Sequence, residues 1–226
     1  MHDDLRSAQQ GNTQIDTGVL IGSFLAPLSN ILPSSREEIN SIRGADTPLL
    51  VDIGAGRGHD LIGLRKRFPN AQGKLVLEDL PAVIEEVQGA QDLTAAGIDT
   101  VSYDFFNQVQ PVRGARVYYF KNVLHDSSDE KAAIIFNNLK PAMKPGFSMK
   151  PGFSKIIAEE YILPDQNARS LPCMTDMAVM VFCSGLERTQ LRWTDLMTSV
   201  GLRVVKFWVH EGDGLGIVEA ELPEGI

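Results

Sequence analysis

Cysteine is scarce in this chain. Cys173 and Cys183 are its two cysteines, and they stand in a methionine-rich segment with no C-x-x-C pair. That excludes a disulfide framework, and the two read as small apolar side chains. Basic charge is in deficit: 21 Lys and Arg stand against 29 Asp and Glu, a net charge of −8. A chain of this sign is unsuited to phosphate-driven nucleic-acid binding or to an anionic membrane surface. No apolar run reaches the roughly 18 residues that a membrane-spanning helix needs. Met1-His2-Asp3-Asp4 lacks the basic opening of a signal peptide, so a reduced, cytoplasmic protein is expected. Neither nucleic acid nor membrane is expected as a partner.

What is present suits one folded α/β domain. The chain has 226 residues, 43% of them hydrophobic and 22% charged. Its most informative stretch is Val51-Asp52-Ile53-Gly54-Ala55-Gly56-Arg57-Gly58. It reads as a buried strand entering a glycine-rich turn that opens a helix. Glycine permits the tight turn and lets a ligand approach the main chain. The spacing is G-x-G-x-G, with His59 where the dinucleotide fingerprint has its third glycine. Lys74 to Leu77 reads as a second strand, followed by Glu78-Asp79-Leu80-Pro81. Asp79 falls about 20 residues past the turn, where doubly wound folds place a ribose-binding carboxylate. Glu78 and Asp79 also suit a helix cap. The combination fits an adenosine-bearing cofactor, and the glycine spacing favours S-adenosylmethionine over NAD.

Short apolar strands then alternate with amphipathic helices. Strands are expected at 49–53, 75–77, 100–103, 115–120 and 155–159. Helices are expected at 59–68, 81–88 and 129–143. This alternation predicts a parallel sheet of βα units. Residues 202–209 and 216–222 read instead as a hairpin, so at least one strand should be antiparallel. Residues 17–32 carry an apolar pattern close to helical spacing. Met143 to Ser148 recurs at once as Met149 to Ser154. The repeat reads as a lengthened loop without a chemical role, since loop length adds little entropic cost.

His125, in Val123-Leu124-His125-Asp126, follows the fourth strand at the expected ligand crevice. An imidazole there suits general-base work near neutral pH. Glu160 ends the fifth strand, and Glu187 begins Glu187-Arg188-Thr189, read as the opening of a helix. Both acids can converge on His125, orient its ring and stabilise its charged form. A solvated strand end for Glu160 and a helix first-turn acid for Glu187 are the plainer readings.

These segments together resemble the small-molecule O-methyltransferases of the caffeate and flavonoid type, especially their fungal secondary-metabolism relatives. The likeness rests on Val51 to Asp60, Glu78 to Pro81, Asp104-Phe105-Phe106, Leu124 to Glu130, Glu160 to Pro164 and Glu187-Arg188-Thr189. It covers residues 45–222. It implies a Rossmann-like class I methyltransferase fold, a mostly parallel seven-stranded sheet closed by an antiparallel C-terminal hairpin. It implies S-adenosylmethionine as cofactor, with Asp52, Gly54, Gly56, Gly58, Asp79, Leu80, Asp104, Phe105 and Lys121 around it. His125 matches the catalytic base, with Glu160 and Glu187 as flanking acids. Asp176, Met177 and Met180 match positions lining the acceptor pocket, although Met180 suits an ordinary helix core equally well. The implied reaction is transfer of a methyl group to a hydroxyl of a small aromatic or polyketide-type metabolite, without a metal; no His/Asp ligand cluster is evident.

The chain departs from the family in three places. Family members carry an N-terminal helical domain that forms a dimer and closes the site. Here residues 1–44 read as a short helical remnant of it and 45–226 as the cofactor-binding domain, so a homodimer is in question. Ser127 stands where the family has an aromatic residue. The repeat at 143–154 precedes the strand that carries Glu160. Three alternatives follow: a non-methylating, cyclase- or pericyclase-like homologue that still binds the cofactor, an inactive truncated paralogue, and an NAD-dependent oxidoreductase.

Overall fold

A computed structural model describes residues 48–71, 73–144, 153–209 and 212–223. The expected helical segment at 17–32 and most of the 143–154 repeat lie outside the described residues. Among the described residues, no helix is long and apolar enough to cross a membrane.

The frame is a seven-stranded sheet. Its strands are β1 (Pro48–Ile53), β2 (Lys74–Asp79), β3 (Ile98–Ser102), β4 (Val117–Lys121), β5 (Lys155–Glu160), β8 (Arg203–Trp208) and β9 (Gly216–Glu221). The order is β3-β2-β1-β4-β5-β9-β8. The pairs from β3 to β5 are all parallel. β9 inserts antiparallel between β5 and β8, as the hairpin pattern requires. β6 (Ile162–Leu163) and β7 (Arg188–Thr189) form a separate two-residue pair that periodicity is too short to reveal.

The central strands are apolar because both sheet faces are covered. Side chains alternate between faces along each strand. Val51, Ile53, Tyr118, Phe120, Ile156 and Val218 enter one core layer. Leu50, Val117, Tyr119, Ile157 and Ile217 enter the other. The first layer is closed by α4 (Asp129–Leu139), through Ile135 and Phe136, and by α6 (Gln190–Ser199), through Trp193 and Met197. The second is closed by α1 (His59–Arg67), α2 (Pro81–Val87) and α3 (Gln91–Ala96), through Leu61, Leu64, Ile84 and Leu93. Each such side chain contributes about 1.5–3 kcal/mol when removed from water.

Three expectations are corrected. The helix expected over 129–143 stops at Leu139 and tightens into a 3₁₀ turn at Lys140–Ala142, because Pro141 cannot continue the α ladder. Glu187 does not open a helix. It precedes β7, and Thr189 caps α6, accepting the Arg192 N–H at 3.3 Å. Cys173 and Cys183 are exposed rather than packed as apolar side chains.

The strand order reverses between β1 and β4: β2 lies on one side of β1 and β4 on the other. Open α/β sheets hold ligands at this switch point, beyond the carboxyl ends of the strands. Gly54 follows β1, Asp79 ends β2, His125 follows β4 and Glu160 ends β5.

Candidate active site

The glycine turn is built as its sequence suggests. Gly54, Gly56 and Gly58 all adopt the left-handed region, with φ of 75°, 54° and 72°. The Gly54 N–H donates to the Glu78 carbonyl at 2.8 Å, tying the turn to β2. The three glycines differ in what surrounds them. A Cβ on Gly54 would lie 2.8 Å from Val123, and one on Gly58 would lie 2.7 Å from Leu77. A Cβ on Gly56 would meet nothing within 4 Å. Packing therefore requires the outer two glycines, whereas the middle one borders open space of the kind a ligand can enter.

Asp79 closes this cradle. Its Oδ2 accepts the Gly56 N–H at 2.8 Å and its Oδ1 accepts the Leu80 N–H at 2.7 Å. Each carboxylate oxygen retains a second acceptor site, enough for a vicinal diol such as a ribose. Leu80 is 49% exposed at the rim. Asp104 accepts from the Phe106 N–H at 3.0 Å and from the Asn107 amide at 2.8 Å, which lowers its pKa. It thus shapes the loop that presents Phe105, whose ring meets Phe106 edge-to-face at 4.8 Å. The residues present fit an adenosine-bearing group.

A charged floor lies beneath the turn. Lys121 Nζ pairs with Asp60 at 2.8 Å. Burial opposes the Lys121 charge, but Glu159, Asp60 and Asp52 outweigh it and raise its pKa. Asp52 is raised well above the carboxylate range by burial, with Asp60 adding to the effect. The hydrogen bond and ion pair of Lys121 lie with Asp60, on the floor of the turn, rather than with Asp104 or Phe105.

The second half of the site centres on His125, in a 3₁₀ turn at Leu124–Asp126. Its Nδ1 lies 2.8 Å from Glu187 Oε1 and 3.7 Å from Glu160 Oε2. Both carboxylates are 0% exposed, so neither the solvated-end reading of Glu160 nor the first-turn reading of Glu187 holds. Glu160 Oε1 accepts the N–H groups of Val123 and Leu124 at 3.1 and 2.9 Å. The Glu187 N–H donates to Asp176 Oδ1 at 2.8 Å. Asp176, matched by resemblance to an acceptor wall, therefore acts here on the backbone of Glu187.

A carboxylate only accepts, so the Nδ1 facing Glu187 carries the proton in the neutral ring. Nε2 is then left with its lone pair, 3.6 Å from Asp126 Oδ1. Burial alone would depress the pKa of His125. The hydrogen bond that His125 donates to Glu187 and the charges of Glu160, Glu187 and Asp126 overcome that and raise it. Burial pushes Glu160 up to about 7, against the pull of His125 and the Leu124 N–H.

The ligand-type atoms of His125, Glu160 and Glu187 lie within 4.8 Å of one another, a clustering that sequence spacing conceals. Their shortest separation, 2.8 Å, is a hydrogen bond. Ligands around one tetrahedral zinc sit roughly 3.3 Å apart, given bonds of about 2.0–2.1 Å.

Met177 and Met180 lie on α5 (Ser170–Cys183), 62% and 57% exposed, so a core role does not explain them. Leu171, Met174, Val181 and Phe182 extend this exposed apolar surface. A separate cavity of about 240 Å³ lies between β6, the start of α5 and the loop before β9, lined by Tyr161, Pro164, Arg169 and Val209 among others. It contains none of the site residues above and is smaller than most ligand sites.

Comparison with known proteins identifies the family. Residues 35–203 match the O-methyltransferase domain. The chain belongs to this O-methyltransferase family. It is 36% identical over 210 residues to O-methyltransferase asqD of Emericella nidulans, covering 91% of this chain and 51% of that protein. A crystal structure of OxaC in complex with SAH and oxaline superposes with a TM-score of 0.71 at 33% identity, covering 82% of this chain and 45% of that one. A structure described as a pericyclic reaction enzyme superposes with a TM-score of 0.73 at 31% identity, covering 87% and 47%. The chain thus spans about half the length of the relatives it matches. Its fold is that of the class I methyltransferases.

Proposed function

We propose that this chain catalyses methyl transfer from S-adenosylmethionine to a hydroxyl of a small aromatic or polyketide-type acceptor. The observation that carries this reading is the His125–Glu187 pair, 2.8 Å apart beside the glycine cradle at the sheet's switch point. When bound, the cofactor supplies a methyl group on a sulfonium, already a strong electrophile. Gly56 offers its open face to the cofactor and Asp79 its remaining acceptor sites to the ribose. Phe105 and Asp104 flank the adenine, and Gly54, Gly58 and Leu80 shape the rim. Asp52 and Lys121 form the floor.

The chain's own chemistry is proton removal and orientation. His125 Nε2 takes the proton of the acceptor hydroxyl. Glu187 and Glu160 stabilise the imidazolium that results, and burial strengthens both interactions. Met177 and Met180 give the acceptor one apolar wall. Asp176 supports that wall indirectly, by fixing Glu187.

The same reading assigns residues 45–226 to the cofactor-binding domain. It places the protein in the cytoplasm and allows a homodimer. The test is a methyl-transfer assay on hydroxylated aromatics, with His125→Ala as control. Transfer that vanishes in the variant while SAH binding persists supports the reading. SAH binding without transfer to any acceptor moves the chain to the non-methylating homologues.

A further inference from the structure

The reading above uses Glu187 but leaves its neighbour unexplained. The Arg188 side chain is 0% exposed, an unusual place for a guanidinium. One guanidinium makes three directed hydrogen bonds. Nε donates to Asp129 Oδ1 at 2.8 Å, Nη1 to the Leu124 carbonyl at 2.9 Å and Nη2 to the Ser127 carbonyl at 2.7 Å. Leu124 and Ser127 bracket His125 in the chain. The ring of Trp193 lies 5.1 Å from the guanidinium carbon. Arg192 holds the other oxygen of Asp129 at 2.8 Å, so Asp129 is itself fixed.

The turn is gripped from further directions. The Leu186 N–H donates to the His125 carbonyl at 2.8 Å, and Glu160 receives the Val123 and Leu124 N–H groups. Successive side chains of extended chain point to opposite sides. Glu187 thus reaches the imidazole ring while Arg188 reaches the backbone that carries the ring. An apolar side chain could fill the space against Trp193, but it could not satisfy two carbonyls and a carboxylate at once. Lysine could not either, because a point charge lacks the fork of donors.

The structure assigns Arg188 a positioning role: its guanidinium fixes the Leu124–Ser127 backbone so that the His125 ring meets Glu187. Arg188 touches no reacting atom and acts through His125. The kinetic part of this assignment rests on the methyl-transfer reading, whereas the contact itself does not.

The test uses Arg188→Lys in the full chain, with two readouts. One is the NMR titration of the His125 ring; the other is kcat and KM for methyl transfer. The charged groups that set this titration are Glu187 before β7, Glu160 at the end of β5 and Asp126 on the same turn; behind them, Asp176 and Cys183 of α5 contact Glu187 and Asp126. The expected result is a folded variant whose SAH affinity stays within about twofold. Its kcat falls about 10- to 100-fold with KM little changed, the scale of a misplaced catalytic group. The His125 titration moves down toward the ordinary imidazole value as Glu187 loosens its hold.

Unchanged kcat together with an unchanged titration overturns the assignment. So does SAH affinity that falls in step with kcat, which marks a general structural role. If Arg188→Lys does not fold, Asp129→Asn serves in its place. It weakens one anchor of the fork while leaving both carbonyl contacts available. A smaller shift in the same direction supports the assignment, and a wild-type titration overturns it. A shifted titration in a chain whose wild type transfers no methyl group supports the positioning role and ends the methyl-transfer reading.

Discussion

Gly185 presses directly on the backbone of His125. A Cβ built on Gly185 would lie 1.9 Å from the His125 carbonyl oxygen and 2.9 Å from the Asp126 Cα. The obstacle is main chain, which cannot rotate away as a side chain can. Gly185→Ala must therefore push the 185–187 segment off the 3₁₀ turn and part Glu187 from His125. Overpacking of this kind costs about 1–3 kcal/mol. Denaturant unfolding measures that loss, and transfer rate should fall by much more than SAH affinity. A variant as stable and as active as the wild type contradicts this packing.

The glycine turn separates packing from binding. Gly58→Ala places a methyl group 2.7 Å from Leu77 and 2.9 Å from Leu93, so its first effect is on stability. Gly56→Ala meets no protein atom and carries only the penalty of a left-handed alanine, about 1–2 kcal/mol. Its methyl group enters the space assigned to the cofactor. Calorimetric titration with SAH should show a weakening of tenfold or more in Gly56→Ala. The two variants should thus trade places between melting temperature and affinity, and an unchanged SAH affinity in Gly56→Ala removes the middle glycine from the site.

Much of this site was legible in the sequence, and the reasons are local. The turn at Gly54 to Gly58 is marked by glycines whose positive φ few other residues tolerate. Asp79 follows because a βα unit fixes the distance between strand ends. The strands were legible because a sheet covered on both faces needs continuous apolar runs. The three-residue convergence at His125 was legible as a possibility from strand ends, beside plainer readings of each acid, and the resemblance gave it roles; spacing could not fix it, since Glu187 lies 62 positions from His125. The fork of Arg188 was hidden, because a buried arginine and a solvated one look alike in sequence. The link from Asp176 to Glu187 was hidden for the same reason: its place on α5 was visible but its partner, a backbone N–H, was not.

Glu187→Gln tests the electrostatics of the base. The amide keeps the shape and an oxygen toward Nδ1 but removes the charge that raises His125. His125 must be neutral to accept a proton, so wild-type transfer should rise with pH through a pKa above the ordinary 6.5. In Glu187→Gln that limb should move to lower pH, and the plateau should fall on the order of 100-fold. An unmoved limb shows that Glu187 does not set the charge of the ring.

Glu78 offers a pH prediction apart from the reaction. Its side chain is buried, with Gln110 donating to Oε2 at 2.8 Å and Oε1 unpartnered. Burial pushes its pKa up to about 8, against the pull of that hydrogen bond. A carboxyl raised in the folded state favours folding most below its unfolded value, near 4.5, and that contribution is lost as pH rises through about 8. The His125 contribution has the same sign: present below about 6.5 and lost as pH rises through its higher folded value. Stability should therefore decline from pH 6 toward pH 9. Glu78→Gln should flatten that decline, read as melting temperature across the range. A wild-type slope in the variant assigns the effect elsewhere.

The most direct measurement is methyl transfer by the wild type and His125→Ala, with SAH titrated into both. The account predicts micromolar SAH binding by each, about −8 kcal/mol, and transfer reduced on the order of 100-fold or more in the variant. Equal turnover by the two proteins would contradict it, as would a folded wild type that binds no SAH.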